Sequence, residues 1–531
     1  MRERLLRPNK KYYDIYYIYI DLDNKHTQIL ANDEIIEVDG FDFIKHINLS
    51  RSSLCFVNRT LFVKKFYPGG ESSGDGYVRK DVNLNDPLFY DYGNAEFRSF
   101  GALITLQSMS VLREMFPNIP TVCAMREYVT GLGNPEKVSF TLAFNAMQGF
   151  YAPIKDDLWA ERKDNHNYYF RKDGLKVYND MLCGNKAGLL TDMGDKEERV
   201  CWYAENLLMF DKKSAYPSVL VSDNKFPIGR VQKIETNLTE YKIDIISNCI
   251  KKGEWFKVVI DGTDDYFSNW IDEDKMAFEY WDVKAVILTG AYDRLLKILK
   301  QKEFRVYITD KTGYLPRIFR DRIMQYYMNK ERHPKGTFKR HLIKTTIDML
   351  YGKGIQEHDF KSQSDIHNFY CGRGDHYLNP EMSNHCSSRV RYEMIKAVMN
   401  TDAFYWDTDG IKVQDTPEAR AYFEAENKKL SKANCDAGYD SNIGLWDFEG
   451  KADRFVLFAP KFYAYECDGK IEAKTAGMSK ELYKTIYGGV DYDLIDYWRH
   501  NGFQFVSKVY DINGWKVDIL YEHSILKGDL Q

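Results

Sequence analysis

The chain has 531 residues, 44% of them hydrophobic and 29% charged, with a net charge of −4. This is the composition of a soluble globular protein of about two to four domains, and it makes no global demand for a nucleic-acid or membrane partner. Nine cysteines, odd in number and without a C-x-x-C pair, argue against a disulfide framework or a cysteine zinc site and for a reducing compartment.

Met1 to Arg7 lacks the apolar core of a signal peptide, and no run of about 18 apolar residues exists, so a cytoplasmic chain without a membrane span is expected. Tyr12 to Asp21 is aromatic and β-branched and predicts a strand that delivers Asp21 and Asp23 to its end. Ile35 to Val38 and Leu54 to Val57 read as further strands, Phe41 to Ile47 as a short helix and Gly69 to Gly76 as a Gly/Ser loop. Tyr92 to Met115 has the helical period, with Phe100, Leu103, Ile104 and Leu112 on one face. Acids on strand ends in an α/β layer are compatible with a nuclease-like fold; solvated Asp turns are the simpler account. Asp157 to Asp173 is polar and loop-like. The small residues in Met181 to Gly188 would let a backbone approach a phosphate chain, or serve an ordinary loop.

Leu207 to Phe210 is a buried-strand run that hands Asp211 to its C-terminal edge, before a helix-like segment stopped near Pro227. Trp255 to Ile260, Ala285 to Leu288 and Arg305 to Ile308 read as strands, and Tyr292 to Lys300 as a helix. Between Arg317 and Lys344 stand nine Lys/Arg and two acids, a basic patch hidden by the overall charge. Lys344, Asp348 and Tyr351 share one helix face beside the stripe Ile343, Ile347 and Leu350, with Gly352 ending the helix. Lysine and tyrosine together suit a nucleoside triphosphate: charge for the phosphates, a ring for the base. Ser387 to Met399 predicts a helix.

Tyr405-Trp406-Asp407-Thr408-Asp409-Gly410 then reads as strand, turn and returning strand, with Gly410 easing the reversal. Alternation puts Asp407 and Asp409 on one side, where two carboxylates repel and Mg²⁺ is the usual remedy. A polar hairpin turn is the plain alternative. A strand bearing Asp211 laid beside this hairpin would let the acids share two metal ions, the arrangement for in-line phosphoryl transfer. Phe455 to Phe458 is a further buried strand, reaching Lys461-Phe462-Tyr463.

Asp211-x-x-Ser214-x-Tyr216-Pro217 resembles the first palm motif of family B DNA polymerases, and Tyr405-x-Asp407-Thr408-Asp409 resembles their third. Phe226-Pro227-Ile228-Gly229 points to the protein-primed branch of phages and linear plasmids. Lys344-x6-Tyr351-Gly352 resembles the second motif, on the fingers, but Asp348-Met349 stands where the family usually has Asn-Ser. Lys461-x-Tyr463 resembles the motif that holds the primer terminus, and Lys474 to Met478 the exit from palm to thumb.

The resemblance implies an α+β right-hand polymerase of palm, fingers and thumb with an N-terminal RNase H-like exonuclease-type α/β domain. The expected divisions are 1–155 for that domain, 156–229 for the first part of the palm and 230–314 for an insertion that contacts a priming protein. They continue with 315–356 for the fingers, 357–382 for a short second insertion, 383–476 for the rest of the palm and 477–531 for the thumb. It further implies that Asp211, Asp407 and Asp409 are catalytic, that Asp211 and Asp409 hold two Mg²⁺ ions, replaceable by Mn²⁺, and that Tyr216, Lys330, Lys344 and Tyr351 bind the nucleotide. In that reading Tyr216 excludes a 2′-hydroxyl, and Ser214, Arg391, Lys461 and Tyr463 contact DNA. The partners are primer-template DNA, deoxynucleoside triphosphates and a terminal priming protein, for a chain that acts as a monomer.

The exonuclease pattern is degenerate. Asp21 and Asp23 supply a first acid set and Asn58 lies in the second, but Phe62 stands where an acid is expected. Glu96 replaces the usual Asp of the third, with Tyr77-x-x-x-Asp81 as a competitor. Weak or lost proofreading is expected. Two rivals remain. A reverse transcriptase carries adjacent aspartates rather than Asp-Thr-Asp, and a silent DNA-binding protein on the same fold would lose its metal acids.

Overall fold

The computed structural model describes residues 14–21, 26–31, 33–39, 52–57, 118–132, 149–154, 174–183, 201–222, 225–272, 274–355, 380–475, 508–512 and 515–519, with a few isolated positions besides. Helices and sheets are mixed throughout. Strands β1 (Asp14–Asp21), β2 (His26–Ala31), β3 (Glu34–Asp39) and β4 (Ser52–Val57) form a sheet in the order β3-β2-β1-β4, with β4 parallel to β1. Helix α1 (Thr121–Leu132) shares a core with this sheet through Val122, Met125 and Tyr128 against Tyr17, Tyr19 and Leu30. The three N-terminal strands expected from the sequence are therefore present.

After α2 (Gly174–Leu182), strand β5 (Trp202–Lys212) leads into the short helix α3 (Ala215–Val221) and strand β6 (Phe226–Pro227). A second sheet follows, built from β7 (Val231–Lys233), β8 (Phe256–Asp261), β9 (Ile271–Asp272), β10 (Lys275–Glu279) and β11 (Phe304–Thr309) in the order β7-β11-β8-β10-β9. Its helices are α4 (Thr239–Lys252), α5 (Tyr280–Leu288) and α6 (Tyr292–Gln301). Ala285 to Leu288 is thus helical, not the expected strand. Glu279 and Asp282 form a capping box that starts α5, and a run of four apolar residues fits a buried helix as well as a strand.

Strand β12 (Thr312–Gly313) precedes two long helices, α7 (Arg317–Glu331) and α8 (Phe338–Gly354). Gly352 lies inside α8 rather than ending it. Helix α9 (Pro380–Asn400) already begins at Pro380, so the boundary expected at 382 falls within it. It is buried nearly all round, and its polar groups are paired: His385 Nδ1 lies 2.5 Å from Glu279 Oε1, and the Ser388 hydroxyl donates to the same carboxylate.

The hairpin β13 (Ala403–Asp407) and β14 (Gly410–Gln414) is followed by α10 (Pro417–Asp436), which starts at Thr416, whose Oγ1 accepts from the Ala419 N–H at 3.1 Å with a proline in the first turn. Strands β15 (Trp446–Ala459), β16 (Phe462–Cys467) and β17 (Lys470–Thr475) complete an antiparallel six-stranded sheet in the order β13-β14-β5-β15-β16-β17. A hairpin of β18 (Lys508–Ile512) and β19 (Trp515–Ile519) lies near the C-terminus. Cys123, Cys183, Cys201, Cys249, Cys386, Cys435 and Cys467 are free thiols. No helix among the described residues is long and apolar enough to cross a membrane.

Candidate active site

The position of Asp211 follows from strand alternation. Leu208 and Phe210 face α10, where Phe210 stacks on Phe423 at 3.9 Å. Leu207 and Met209 face the other side, with Tyr405, Phe455 and Tyr463. Period two places Asp211 on this second side and Lys212 on the first, where Lys212 is buried against Glu393. The hairpin is fastened to β5 at the same level: Gly410 lies opposite Asp211, and the Lys212 N–H donates to the Asp409 carbonyl at 2.9 Å. Acids remote in sequence are thereby brought together.

Thr408, and not Gly410, makes the reversal. It has φ 59°, and the Asp409 N–H closes the turn on the Asp407 carbonyl at 2.7 Å. Gly410 is already in β14, where a Cβ would stand 3.4 Å from Asp211 Oδ1 and 3.3 Å from Lys412 Nζ. Ser214 at φ 51° and Lys461 at φ 65° share this left-handed conformation. Three of the six non-glycine residues with positive φ among those described thus lie on the motifs, and local backbone strain of this kind gathers at functional sites.

Burial raises Asp211 above the ordinary carboxylate range, and the charges of Asp409 and Glu449 raise it further, against Lys412 and Lys344. Asp409 is raised by burial and then by Asp348 and Asp407, with Lys344 opposing. Mutual repulsion between buried carboxylates is relieved by a divalent cation between them. Among the described residues no three His, Cys, Asp or Glu side chains are close enough to hold a metal ion by themselves. Asp211 and Asp409 nevertheless suit Mg²⁺, which keeps several waters and takes one or two carboxylates together with substrate phosphates.

Asp407 is held by its neighbours. Its Oδ1 accepts from Thr408 Oγ1 at 2.8 Å and lies 3.3 Å from Lys461 Nζ; its Oδ2 accepts from the Tyr405 hydroxyl at 3.3 Å. The Tyr405 oxygen in turn accepts the Lys461 N–H at 2.8 Å. The hairpin and the Lys461-x-Tyr463 segment are therefore one hydrogen-bonded unit, and Tyr463 is packed on Phe455 with ring centroids 5.0 Å apart.

Within the field of Asp409, Tyr216 of α3 and Tyr351 of α8 stack face to face, 3.8 Å apart and within 6° of parallel. Two of the four residues expected to bind the nucleotide therefore meet. Lys330 of α7 is buried, donates to Ser214 Oγ at 2.9 Å and lies 3.3 Å from Glu331. Lys344 is exposed on α8, and its charge acts on both Asp211 and Asp409.

No family model matches the sequence, and no curated protein matches it. Solved structures do. The fold resembles that of phi29 DNA polymerase. The match to phi29 DNA polymerase complexed with primer-template DNA in the post-translocation binary complex has a TM-score of 0.54 at 12% identity, over 96% of this chain and 99% of that one. The ternary complex with primer-template DNA and incoming nucleotide matches at 0.51 and 13%, over 97% and 99%. The orthorhombic crystal form matches at 0.54 and 12%, over 95% and 98%.

At such identity the likeness to phi29 DNA polymerase is one of fold, and each site residue stands on its own contacts. Arg391, expected at DNA, is not available to it: it is 2% exposed, with its guanidinium 2.8 and 2.9 Å from the two carboxylate oxygens of Asp282. A buried guanidinium so engaged holds α9 to α5. Asp21 ends β1, but its side chain lies outside the described residues, as do Asp23, Asn58, Phe62, Tyr77, Asp81 and Glu96. So do 157–173 and 184–188; the described end of that segment turns its Met181 and Cys183 carbonyls to Lys257 Nζ, at 2.7 and 2.8 Å. Glu449 was not anticipated. It sits at a break in the β15 ladder between Phe448 and Gly450, and Gly450 at φ 143° is the sequence signal for that bulge.

Proposed function

We propose that this protein is a template-directed DNA polymerase that extends a primer hydroxyl with deoxynucleoside triphosphates. The observation that supports it most is the meeting of Asp211 on β5 with Asp409 of the hairpin turn, near the Tyr216–Tyr351 stack and within the field of Lys344. The solved structures of similar fold include phi29 DNA polymerase with primer-template DNA and incoming nucleotides, and we extend those partners to this chain.

In this reading the six-stranded sheet is the palm, α7 and α8 are the fingers, and the β7–β11 sheet with its helices is the insertion facing a priming protein. Asp211 and Asp409 would hold the divalent ions, which when bound would supply a lowered pKa for the attacking hydroxyl and positive charge against the phosphates. Asp407 fixes Lys461 and Tyr405, and so the segment that seats the primer end. Lys344 attracts the triphosphate, and Tyr351 offers a face to the base. Tyr216 closes the space a 2′-hydroxyl would need. Protein priming, phage or mobile-element replication and loss of proofreading follow from the motif resemblance.

The test is extension of a primed DNA template with Mg²⁺, each nucleotide supplied singly. Addition only of the nucleotide complementary to the template is expected; template-independent addition, or none, contradicts the proposal.

A further inference from the structure

Helix α8 carries Lys344, Asp348 and Tyr351 on one face. Two contacts fix where that face looks: the Tyr351 ring lies on Tyr216, and the Tyr351 carbonyl accepts from Ser383 Oγ at 2.6 Å. Ile347 and Leu350 are buried beneath, in the core that holds Met324 and Tyr327 of α7. Asp348 therefore faces the turn that follows Asp211, the side from which Lys330 reaches Ser214 Oγ. It is half-buried and takes no hydrogen bond from the described residues.

Its carboxylate opposes ionisation of Asp409, while Lys344 and Lys330 favour its own charged form against burial. Around this space Asp211, Asp348, Asp407, Asp409 and Glu449 stand against Lys330, Lys344, Lys412, Lys461 and Lys474. A polyanion entering it meets Lys344, offset by Asp348 one turn along α8, while buried Lys330 is already held by Glu331 at 3.3 Å.

We infer that Asp348 makes the site selective for a triphosphate that arrives chelated to a divalent cation, by offsetting the pull of Lys344 on the metal-free anion. This rests on the nucleotidyl-transfer reading and names the form of substrate the site accepts. Metal-free triphosphate carries roughly −4 and its Mg²⁺ complex roughly −2, so the cancelled attraction matters about twice as much for the former.

The full-length protein is titrated calorimetrically with dTTP in EDTA and with dTTP in excess Mg²⁺, as wild type, Asp348→Asn and Asp348→Glu. Asp348→Asn binds metal-free dTTP about tenfold more tightly than wild type, about 1.4 kcal/mol. For the Mg²⁺ complex the gain is about threefold, because halving the charge halves the logarithm. Asp348→Glu behaves as wild type. Equal or weaker binding of metal-free dTTP by Asp348→Asn overturns the inference. Thermal melting checks the fold, and Asp348→Ser removes the same charge should the asparagine variant not fold. Wild-type primer extension is run beside it. A binding contrast without extension refutes the polymerase reading alone; extension without a contrast refutes the role of Asp348 alone.

Discussion

Replacing Asp409 by asparagine should stabilise the protein in the absence of divalent ions. Asp409 closes the turn into β14, whose first residue Gly410 lies opposite Asp211, and paired strands lie about 4.8 Å apart. Two carboxylates about 5.5 Å apart repel by about 3 kcal/mol at an effective dielectric of about 20. Lys412 and Lys344 offset part of this, leaving about 1–2 kcal/mol to be gained. For a domain of about 200 residues this raises Tm by about 2–8 °C. The sign with pH follows. A carboxylate whose folded pKa is raised binds its proton more tightly in the native state. Stability of the metal-free protein therefore falls as pH rises from the ordinary carboxylate range through the raised pKa. Scanning fluorimetry in EDTA at pH 8 should give Asp409→Asn the higher Tm, with a smaller difference at pH 5. Added Mg²⁺ should raise the wild type more than the variant. A lower Tm for Asp409→Asn in EDTA at pH 8 would mean that the carboxylate is a structural hydrogen-bonding group, and the electrostatic reasoning would fail.

Tyr216→Val should increase ribonucleotide incorporation on a primed DNA template by about tenfold or more, since it removes a ring from the sugar's space; unchanged discrimination would count against the gate. Arg391→Met leaves Asp282 buried and unpaired and should cost about 3–5 kcal/mol in denaturant unfolding. The DNA affinity of folded Arg391→Met should stay near wild type, and a selective loss of affinity would restore Arg391 to the DNA surface. Lys461→Ala should weaken primer-template binding and reduce the dependence of log Kd on log salt by about one; an unchanged slope would place its charge away from phosphate.

Much of the site was legible because its determinants are local. Asp211 ends an apolar strand run, and Asp407-Thr408-Asp409 ends another, so each acid's position is set within a few residues. The ladder joining them was anticipated by resemblance and is explained by the Gly410–Asp211 register. What failed to show depended on tertiary contacts. Arg391 looked like a surface cation until Asp282, far away in the chain, was placed against it. Ala285 to Leu288 gave no period long enough to separate helix from strand, and the box at Glu279 and Asp282 settled it. Positive φ fell on Thr408, a residue whose type does not advertise it. Glu449 depended on a bulge that only Gly450 hinted at.

The central claim is that Asp211 and Asp409 act as one centre for nucleotide addition. Primer extension and DNA binding should be measured together for wild type, Asp211→Asn and Asp409→Asn. Each substitution should abolish extension and leave DNA affinity nearly intact. Extension that survives either change, or DNA binding lost in proportion to activity, would contradict the account.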